Sequence, residues 1–259
     1  KQFGHVQANR DVSLNVASGT IHGIIGENGA GKSTLMSILY GFYQADSGSI
    51  HVQGKELKIN NANDAIASGI GMVHQHFMLV DTFTVLENIV LGVESGWTLK
   101  SSLDDARETL IQLEKEYHLE VNVDALIQNL PVGLLQRVEI LKALYRKADI
   151  LILDEPTGVL TPQEADELFR ILEELSKQGK TVILITHKLR EIMAITSHVS
   201  VMRHGEMVAH LKTSTTNQEE LAELMVGRKV LLRVDKAPAS PKYEALRVED
   251  LNVIDLNGV

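Results

Sequence analysis

Apolar residues in the first sixty positions fall in short runs or alternate with polar ones, which is the spacing of β-strands. Four such segments are predicted to be strands: residues 12–16, 20–25, 49–52 and 56–59. Residues 35–40 instead show the apolar spacing of a helix, and Gly41 is placed to end it. The first part of the chain is therefore predicted to be mostly β, with one helix after the second strand.

The apolar pattern becomes helical between about residues 86 and 146. Leu110, Leu113 and Tyr117 follow one another at three- and four-residue steps, as on one face of a helix. This stretch separates the β-rich start from later strands, so we interpret it as an inserted helical subdomain.

Residues 149–153 and 181–186 are dominated by Ile, Leu and Val, as expected for parallel strands that are covered on both faces. The segment between them begins with a capping box formed by Thr161 and Glu164, with Pro162 at the first helical position. Strand, helix and strand together predict a right-handed crossover in a parallel sheet.

Residues 26–34 fit the pattern G-x-x-x-x-G-K-[ST] where a predicted strand meets a helix, a position that a simple Gly-rich turn does not explain. Their glycines let the backbone wrap a phosphate, and the helix N-terminus adds a positive dipole end. Lys32 is suited to the β and γ phosphates and Ser33 to Mg²⁺. The residues assigned to the nucleotide here are Gly26, Glu27, Asn28, Gly29, Ala30, Gly31, Lys32, Ser33 and Thr34.

A second set of polar residues follows the later strands, at the carboxyl edge of the predicted sheet where ligands bind. Asp154 is suited to hold Mg²⁺ and Glu155 to polarise an attacking water. An Asp-Glu pair alone is equally a solvated loop or a helix cap, but the phosphate loop favours the site. His187 could contact the γ-phosphate, and Gln75 could give an amide oxygen to Mg²⁺ or to the water.

Composition narrows the functional classes. The chain has 259 residues, of which 44% are hydrophobic, a formal net charge of −9 and no cysteine. Net acidity argues against a nucleic-acid groove, and the absence of cysteine excludes disulfides and thiolate metal sites. His74, His76 and His118 lack a clustered further ligand, so we interpret them as surface or interface residues rather than a metal site.

In this order, the motifs resemble those of the ATP-binding cassette family over nearly the whole chain. The resemblance implies an α/β P-loop NTPase with a mainly parallel core sheet, an N-terminal antiparallel β subdomain and a helical subdomain at about residues 77–148. It also implies ATP and Mg²⁺ as cofactors. The positions that match family motifs, besides the phosphate loop, are Phe3 (adenine-stacking aromatic), Gln75 (Q-loop), Asp154 and Glu155 (Walker B), His187 (switch histidine) and Leu130, Pro131, Val132 and Gly133 (signature motif).

The signature motif departs from the family form Leu-Ser-Gly-Gly-Gln. Pro131 stands in place of the serine, Val132 in place of the first glycine and Leu134 in place of the glutamine. In the family this motif holds the γ-phosphate of ATP bound to the opposite domain, and Pro131 has neither a hydroxyl nor an N–H group. We therefore expect weak hydrolysis at the site that this motif completes. The D-loop at residues 158–161 also departs, since it ends in Thr161 instead of aspartate.

Residues 71–80, 137–146 and 154–164 look like those of importers of simple sugars and nucleosides, and residues 74–77 look closer to the nucleoside branch. This resemblance implies an ATPase subunit on the cytoplasmic face of the cell membrane. Its partners would be transmembrane permeases, contacted through about residues 76–96, and a substrate-binding protein acting through the permease. The chain by itself is expected to hydrolyse ATP slowly.

Residues 244–251 alternate like a new first strand after a linker that contains Pro238 and Pro241. We therefore divide the chain into a nucleotide-binding domain at residues 1–232, a linker at 233–243 and the start of a second cassette at 244–259. A second phosphate loop is expected beyond Val259.

Two other functions remain open from the sequence. One is a cytosolic cassette ATPase that works on ribosomes or DNA. The other is a regulatory nucleotide-binding module that does not hydrolyse ATP, which Pro131 and Leu134 would suit.

Overall fold

The structure is a computed structural model that describes residues 1–93, 99–229, 240, 243, 244 and 246–252, with the backbone alone at 99–102. Its strands are β1 (Gln2–Phe3), β2 (Val6–Gln7), β3 (Ile21–Ile25), β4 (Ile50–Val52), β5 (Lys55–Leu57), β6 (Ile70–Val73), β7 (Ile150–Asp154), β8 (Thr181–Ile185), β9 (His198–Arg203) and β10 (Glu206–Lys212). Its α-helices are α1 (Lys32–Leu39), α2 (Ala62–Ala67), α3 (Val85–Val90), α4 (Leu99–Tyr117), α5 (Val132–Tyr145), α6 (Pro162–Lys177), α7 (Leu189–Ile195) and α8 (Gln218–Val226). Single 3₁₀ turns lie at Ile127–Asn129 and Thr213–Thr215.

A six-stranded sheet forms the centre, in the order β10-β9-β3-β8-β7-β6. All its neighbouring strands pair in parallel except β10, which pairs antiparallel with β9 at one edge. Strands β3 and β8 are buried along their whole length, because both faces of the sheet are covered. The α/β fold with a mainly parallel sheet, predicted from the sequence, is confirmed.

The two faces of the sheet carry separate hydrophobic cores, because successive side chains of a strand point to opposite faces. On β8, Val182 and Leu184 join the larger core with helices α3 to α8. Ile183 and Ile185 join the smaller core with Met36 of α1. The carboxyl ends of the strands therefore emerge between two packed layers, where the predicted site residues lie.

The helical subdomain is anchored to the segment that follows β6. The Glu139 carboxylate of α5 accepts from the Met78 N–H group at 2.7 Å, and the Lys142 ammonium donates to the Met78 carbonyl at 2.9 Å. Asn88 of α3 makes a similar pair of hydrogen bonds to the Val80 backbone, at 2.7 and 3.1 Å. Residues 94–98, within the predicted subdomain, lie outside the described residues.

Two strand predictions are wrong. Residues 12–16 form no strand, although Val12, Leu14 and Val16 pack against the smaller core. Their alternation reflects burial of an extended segment rather than a ladder, so the antiparallel part of the N-terminal region consists of two separate pairs, β1–β2 and β4–β5.

The strand predicted at residues 244–251 is also absent from the part of it that the structure describes. Leu246, Val248 and Leu251 are exposed, because no neighbouring strand covers them there. Residues 230–239, 241, 242, 245 and 253–259 lie outside the described residues, so the linker and the second cassette stay predictions. No helix within the described ranges is long and apolar enough to cross a membrane.

Candidate functional site

The phosphate loop connects β3 to α1 and requires glycine at several positions. Gly29 and Gly31 have φ angles of 81° and 98°, in the left-handed region. A Cβ atom on Gly31 would lie 2.3 Å from the Ala8 carbonyl oxygen, and one on Gly26 would lie 2.4 Å from that of Met202. No side chain caps the start of α1, so the N–H groups of its first turn have no intrahelical partner and can bind an anion.

Lys32 lies under this loop with 6% of its surface exposed. Its ammonium donates to the carbonyls of Gly26 and Glu27 at 2.8 and 3.1 Å. Burial lowers the pKa of Lys32, and the charges of Glu155 and Asp154 oppose that shift. The lysine and the two carboxylates are therefore close enough to interact electrostatically, as one site requires.

Ser33 and Asp154 form the second part of the site. The Ser33 hydroxyl lies close enough to the Asp154 carboxylate to favour its ionised form. Burial raises the pKa of Asp154, the Ser33 hydrogen bond lowers it, and the neighbouring Glu155 charge raises it again. A hydroxyl and a carboxylate in contact beside an anion-binding loop are the hard oxygen ligands that Mg²⁺ prefers, so these residues fit the metal.

Glu155 and His187 are brought together because β7 and β8 are neighbours and end in register, with Asp154 opposite Ile185. The His187 Nδ1 atom lies 2.9 Å from Glu155 Oε1. Glu155 adopts a φ angle of 48°, and its N–H group donates to the Ile185 carbonyl at 2.9 Å. Glu155, which the sequence predicts to be the base, is therefore held by His187, which it predicts to be the switch histidine.

Gln75 lies two residues beyond β6, at the same edge of the sheet, with an exposed side chain. The neighbouring His74 is the residue there that interacts electrostatically with Asp154. Burial lowers the pKa of His74, the Asp154 charge opposes that shift, and the ring packs 5.4 Å from that of Phe42. The structure places Gln75 near the edge but does not bring it into the Ser33–Asp154 contact.

Phe3 lies in the β1–β2 hairpin with 41% of its surface exposed. The Tyr43 ring meets it edge-on, with centroids 5.0 Å apart. The hairpin is tied to the phosphate loop by Asn9, whose side-chain amide donates to the Gly31 carbonyl at 3.1 Å. Phe3 is thus an accessible aromatic surface attached to the loop, and Tyr43 is a supporting residue that the sequence patterns did not reveal.

The signature motif lies at the start of α5 and contacts α6 rather than the sheet edge. Pro131 is the N-cap of α5 and provides no side-chain cap. The Glu164 side chain lies against Gly133, since a Cβ on Gly133 would come within 2.6 Å of Glu164 Oε1. Hydrogen bonds from Thr161 lower the pKa of Glu164, and the nearby Gly133 backbone amide lowers it slightly further. This contact links residues 31 positions apart (164 − 133) and has no local sequence signal.

A phosphate loop, a Ser-Asp pair suited to Mg²⁺ and a Glu-His pair at one edge of a parallel sheet are typical of a nucleotide-binding domain of the cassette class. The ABC transporter family model matches residues 9–158, and the chain belongs to that family. Binding of ATP follows from this membership.

Known proteins of the same family resemble the whole chain. It is 50% identical over 258 residues to the nucleoside import ATP-binding protein NupA of Lactococcus lactis, covering 100% of this chain and 51% of NupA. It is 45% identical over 287 residues to the glucose import ATP-binding protein TsgD13 of Haloferax volcanii, covering 100% of this chain and 52% of TsgD13. The chain spans about half the length of the curated relatives it matches.

The solved structures agree with this assignment. The ADP conformation of MJ1267, an ATP-binding cassette of an ABC transporter, matches with a TM-score of 0.76 and 27% identity, over 88% of this chain and 96% of that one.

Proposed function

We propose that this chain is the ATP-binding and ATP-hydrolysing first cassette of a tandem importer subunit that powers uptake of a nucleoside or simple sugar. The observation that carries the proposal is the Glu155–His187 pair, 2.9 Å apart, beside Lys32 and the Ser33–Asp154 contact. A base, a phosphate-sensing histidine and a metal-ligand pair are the parts that hydrolysis of a phosphoanhydride needs.

Each residue has a separate task in this proposal. The loop N–H groups and Lys32 bind the phosphates, while Ser33 and Asp154 hold Mg²⁺ with Gln75 at its periphery. Mg²⁺, when bound, supplies positive charge to the phosphate oxygens. Glu155 accepts a hydrogen bond from the attacking water, and His187 fixes the carboxylate through Oε1 and contacts the γ-phosphate.

Phe3 is the proposed platform for the nucleotide base. Its ring is 41% exposed, packs against Tyr43 and has the Lys1 ammonium 5.4 Å from its centroid, so stacking of a base would require the Lys1 side chain to move or use the other face. The hydrogen bond from Asn9 to Gly31 holds this platform at a fixed position relative to the phosphate loop.

A second cassette would complete the site. Relatives of about twice this length support a tandem arrangement. On the surface of this chain, the D-loop carries an exposed Val159, with 61% of its surface accessible, which suits contact with a partner domain. The second cassette would supply a signature motif to ATP held here, while Pro131 would give a weaker grip to the ATP held there.

The permease would contact the segment that follows Gln75. Exposed apolar side chains cluster in this part of the chain, at Met78, Val80, Phe83 and Leu91. Next to them is a groove of about 300 Å³, lined by Tyr40, Phe42, His74 and Met78 among others. Because α5 and α3 hold Met78 and Val80 through Glu139, Lys142 and Asn88, movement of the helical subdomain would move this surface.

In this proposal the protein would lie peripherally on the cytoplasmic face of the membrane, and a substrate-binding protein would act through the permease. The net charge of −9 argues against nucleic acid as a partner. The proposal of a nucleoside or a simple sugar as the imported molecule is supported by two relatives, the nucleoside importer subunit NupA and the glucose importer subunit TsgD13.

The test is reconstitution of the full-length protein with its permease and binding protein in liposomes. We expect ATP hydrolysis to require Mg²⁺ and to rise when a nucleoside or a simple sugar is supplied with the binding protein. Affinity capture from membranes should recover the permease. Recovery of ribosomes or DNA without a permease, or absence of any ATP turnover, would contradict the proposal.

A further inference from the structure

Glu191 of α7 is a buried carboxylate close to the proposed catalytic pair, and none of the sequence motifs includes it. Only 9% of its surface is exposed. Its Oε1 atom accepts a hydrogen bond from the Thr157 hydroxyl, and its Oε2 atom accepts one from the Thr186 hydroxyl at 3.1 Å. Both threonines are buried, at 3% and 1% exposure. The carboxylate therefore bridges two loops with one oxygen on each.

Lys188 compensates the charge of this carboxylate. Its ammonium lies 3.3 Å from Glu191 Oε1 and donates to both the carbonyl and the hydroxyl oxygen of Thr157 at 3.0 Å. A buried carboxylate without such partners would be strongly destabilising, so the network is a satisfied unit in which each group depends on the others.

The bridge runs beside the Glu155–His187 contact. Thr157 is two residues beyond Glu155, and Thr186 immediately precedes His187. The two loops are thus joined twice, once by the exposed Glu155–His187 hydrogen bond of 2.9 Å and once by the buried Glu191.

The loop after β7 needs such a restraint. Glu155 has a φ angle of 48°, in the left-handed region, which is unfavourable for a non-glycine residue and persists only when its surroundings hold it. The Gly158 N–H group closes a turn onto the Glu155 carbonyl at 3.1 Å, and Thr157 lies inside that turn. Holding Thr157 therefore holds the backbone that aims Glu155, and also the start of the D-loop.

We propose that Glu191 is a positioning residue that fixes the Glu155 loop against the His187 loop and so sets the geometry of the catalytic pair. The inference rests on the proposed function, since it concerns ATP turnover at this site. Glu191 touches neither Lys32 nor the phosphate loop in the described hydrogen-bond network. Its loss should therefore reduce turnover more than nucleotide binding.

The experiment uses the full-length protein reconstituted with its permease. Glu191→Ala should lower kcat about tenfold with KM changed less than about twofold, because small misplacement of a reacting group is costly while the phosphate contacts persist. Thr157→Val should have a similar effect. Glu191→Gln should recover most of the turnover, since an amide can accept from one threonine and donate to the other.

Thr196→Val is the matched control. Thr196 lies just beyond the other end of α7, and its buried hydroxyl bonds to that of Thr213 at 2.8 Å. This variant also loses a buried hydroxyl hydrogen bond, but it should retain wild-type kcat. Equal losses in Thr196→Val and Thr157→Val would overturn the proposal, as would wild-type turnover in Glu191→Ala. If Glu191→Ala does not fold, Thr157→Val and Glu191→Gln decide the outcome by the same criteria.

A second measurement does not depend on activity. The His187 ring resonance, assigned by its loss in His187→Gln, should shift or broaden in Glu191→Ala and stay unchanged in Thr196→Val. An unchanged His187 resonance would contradict the positioning role. A wild-type protein without ATP turnover would instead contradict the proposed function, so the two failures are distinguishable.

Discussion

Helix α1 begins after Gly31 and helix α5 after Pro131, and neither has a side-chain cap. Both therefore present N–H groups and a positive dipole end. At α1 these groups lie beside the Lys32 ammonium and the Ser33 hydroxyl, which favour an anion. At α5 the Glu164 carboxylate lies against Gly133 in the first turn, and Pro131 offers no donor.

The comparison shows that the same backbone feature, a helix N-terminus without a side-chain cap, can form two different sites. The few side chains around each N-terminus make the difference. The α1 site has the Lys32 ammonium, the proposed metal-ligand pair Ser33 and Asp154, and the proposed base Glu155 at one edge of the sheet. The α5 site has a proline at position 131, where the family form has a serine, and the Glu164 carboxylate against Gly133. An anion from a partner domain would have to compete with Glu164 there.

The largest effect should come from Glu155→Gln at the α1 site. Loss of the general base should lower ATP turnover by about 10²–10⁴-fold, while ATP binding persists because Lys32 and the loop are unchanged. Turnover by the reconstituted protein and retention of labelled ATP measure the two effects. Glu223→Gln, an exposed position on α8, is the control and should be neutral. Substantial turnover in Glu155→Gln would remove Glu155 from the role of base.

The α5 site should respond to Pro131→Ser. Pro131 has φ and ψ angles of −66° and 157°, which suit a serine N-cap, so the substitution should also stabilise α5 by about 1 kcal/mol. The added hydroxyl and N–H group should raise turnover at the site that this motif completes by about tenfold. The measurement is ATP turnover of the full-length protein that also carries Glu155→Gln. That substitution stops hydrolysis at the α1 site, so the remaining turnover comes from the site that the Pro131 motif completes. Unchanged turnover would mean that Glu164, rather than Pro131, limits this motif.

The two sites also differ in how much of each could be predicted from the sequence. The phosphate loop and the strands that lead to Asp154 and His187 are local patterns, since each motif or apolar run lies within one element or at its end. The contact of Glu164 with Gly133 and the Glu191 bridge join distant segments, and no spacing rule indicates them. The strand prediction for residues 12–16 was wrong for a related reason. An alternating pattern indicates burial but not whether a neighbouring strand is present.

Phe3→Ala should weaken ATP binding about fivefold, because base stacking on one aromatic ring contributes about 1 kcal/mol or more. The change affects only the platform attached to the α1 site. Phe83→Ala removes an aromatic ring of similar exposure, 37% against 41%, from the region before α3 and is the matched control. Equilibrium binding of a fluorescent ATP analogue distinguishes them. Equal affinities of the two variants would place the base elsewhere.

The smallest effect concerns two carboxylates, Asp154 near α1 and Glu164 near α5, whose pKa values are shifted in opposite directions. Burial raises the pKa of Asp154, so its contribution to folding stability is complete at low pH and is lost as the pH rises through that raised pKa. Hydrogen bonds from Thr161 lower the pKa of Glu164, so its contribution is present at neutral pH and is lost as the pH falls through the lowered pKa. Without nucleotide or Mg²⁺, Asp154→Asn should raise Tm near neutral pH by about 2–4 °C, and Glu164→Gln should lower it.

Thermal unfolding in EDTA, followed from about pH 7 to about pH 3, measures both differences from wild type. Each difference should shrink as the pH falls, because protonation makes the wild-type carboxyl group neutral like its amide replacement. Tm shifts of the same sign at neutral pH would contradict the comparison. A lower Tm in Asp154→Asn would mean that burial does not disfavour the Asp154 charge, and a higher Tm in Glu164→Gln would mean that the Thr161 hydrogen bonds do not stabilise the Glu164 charge.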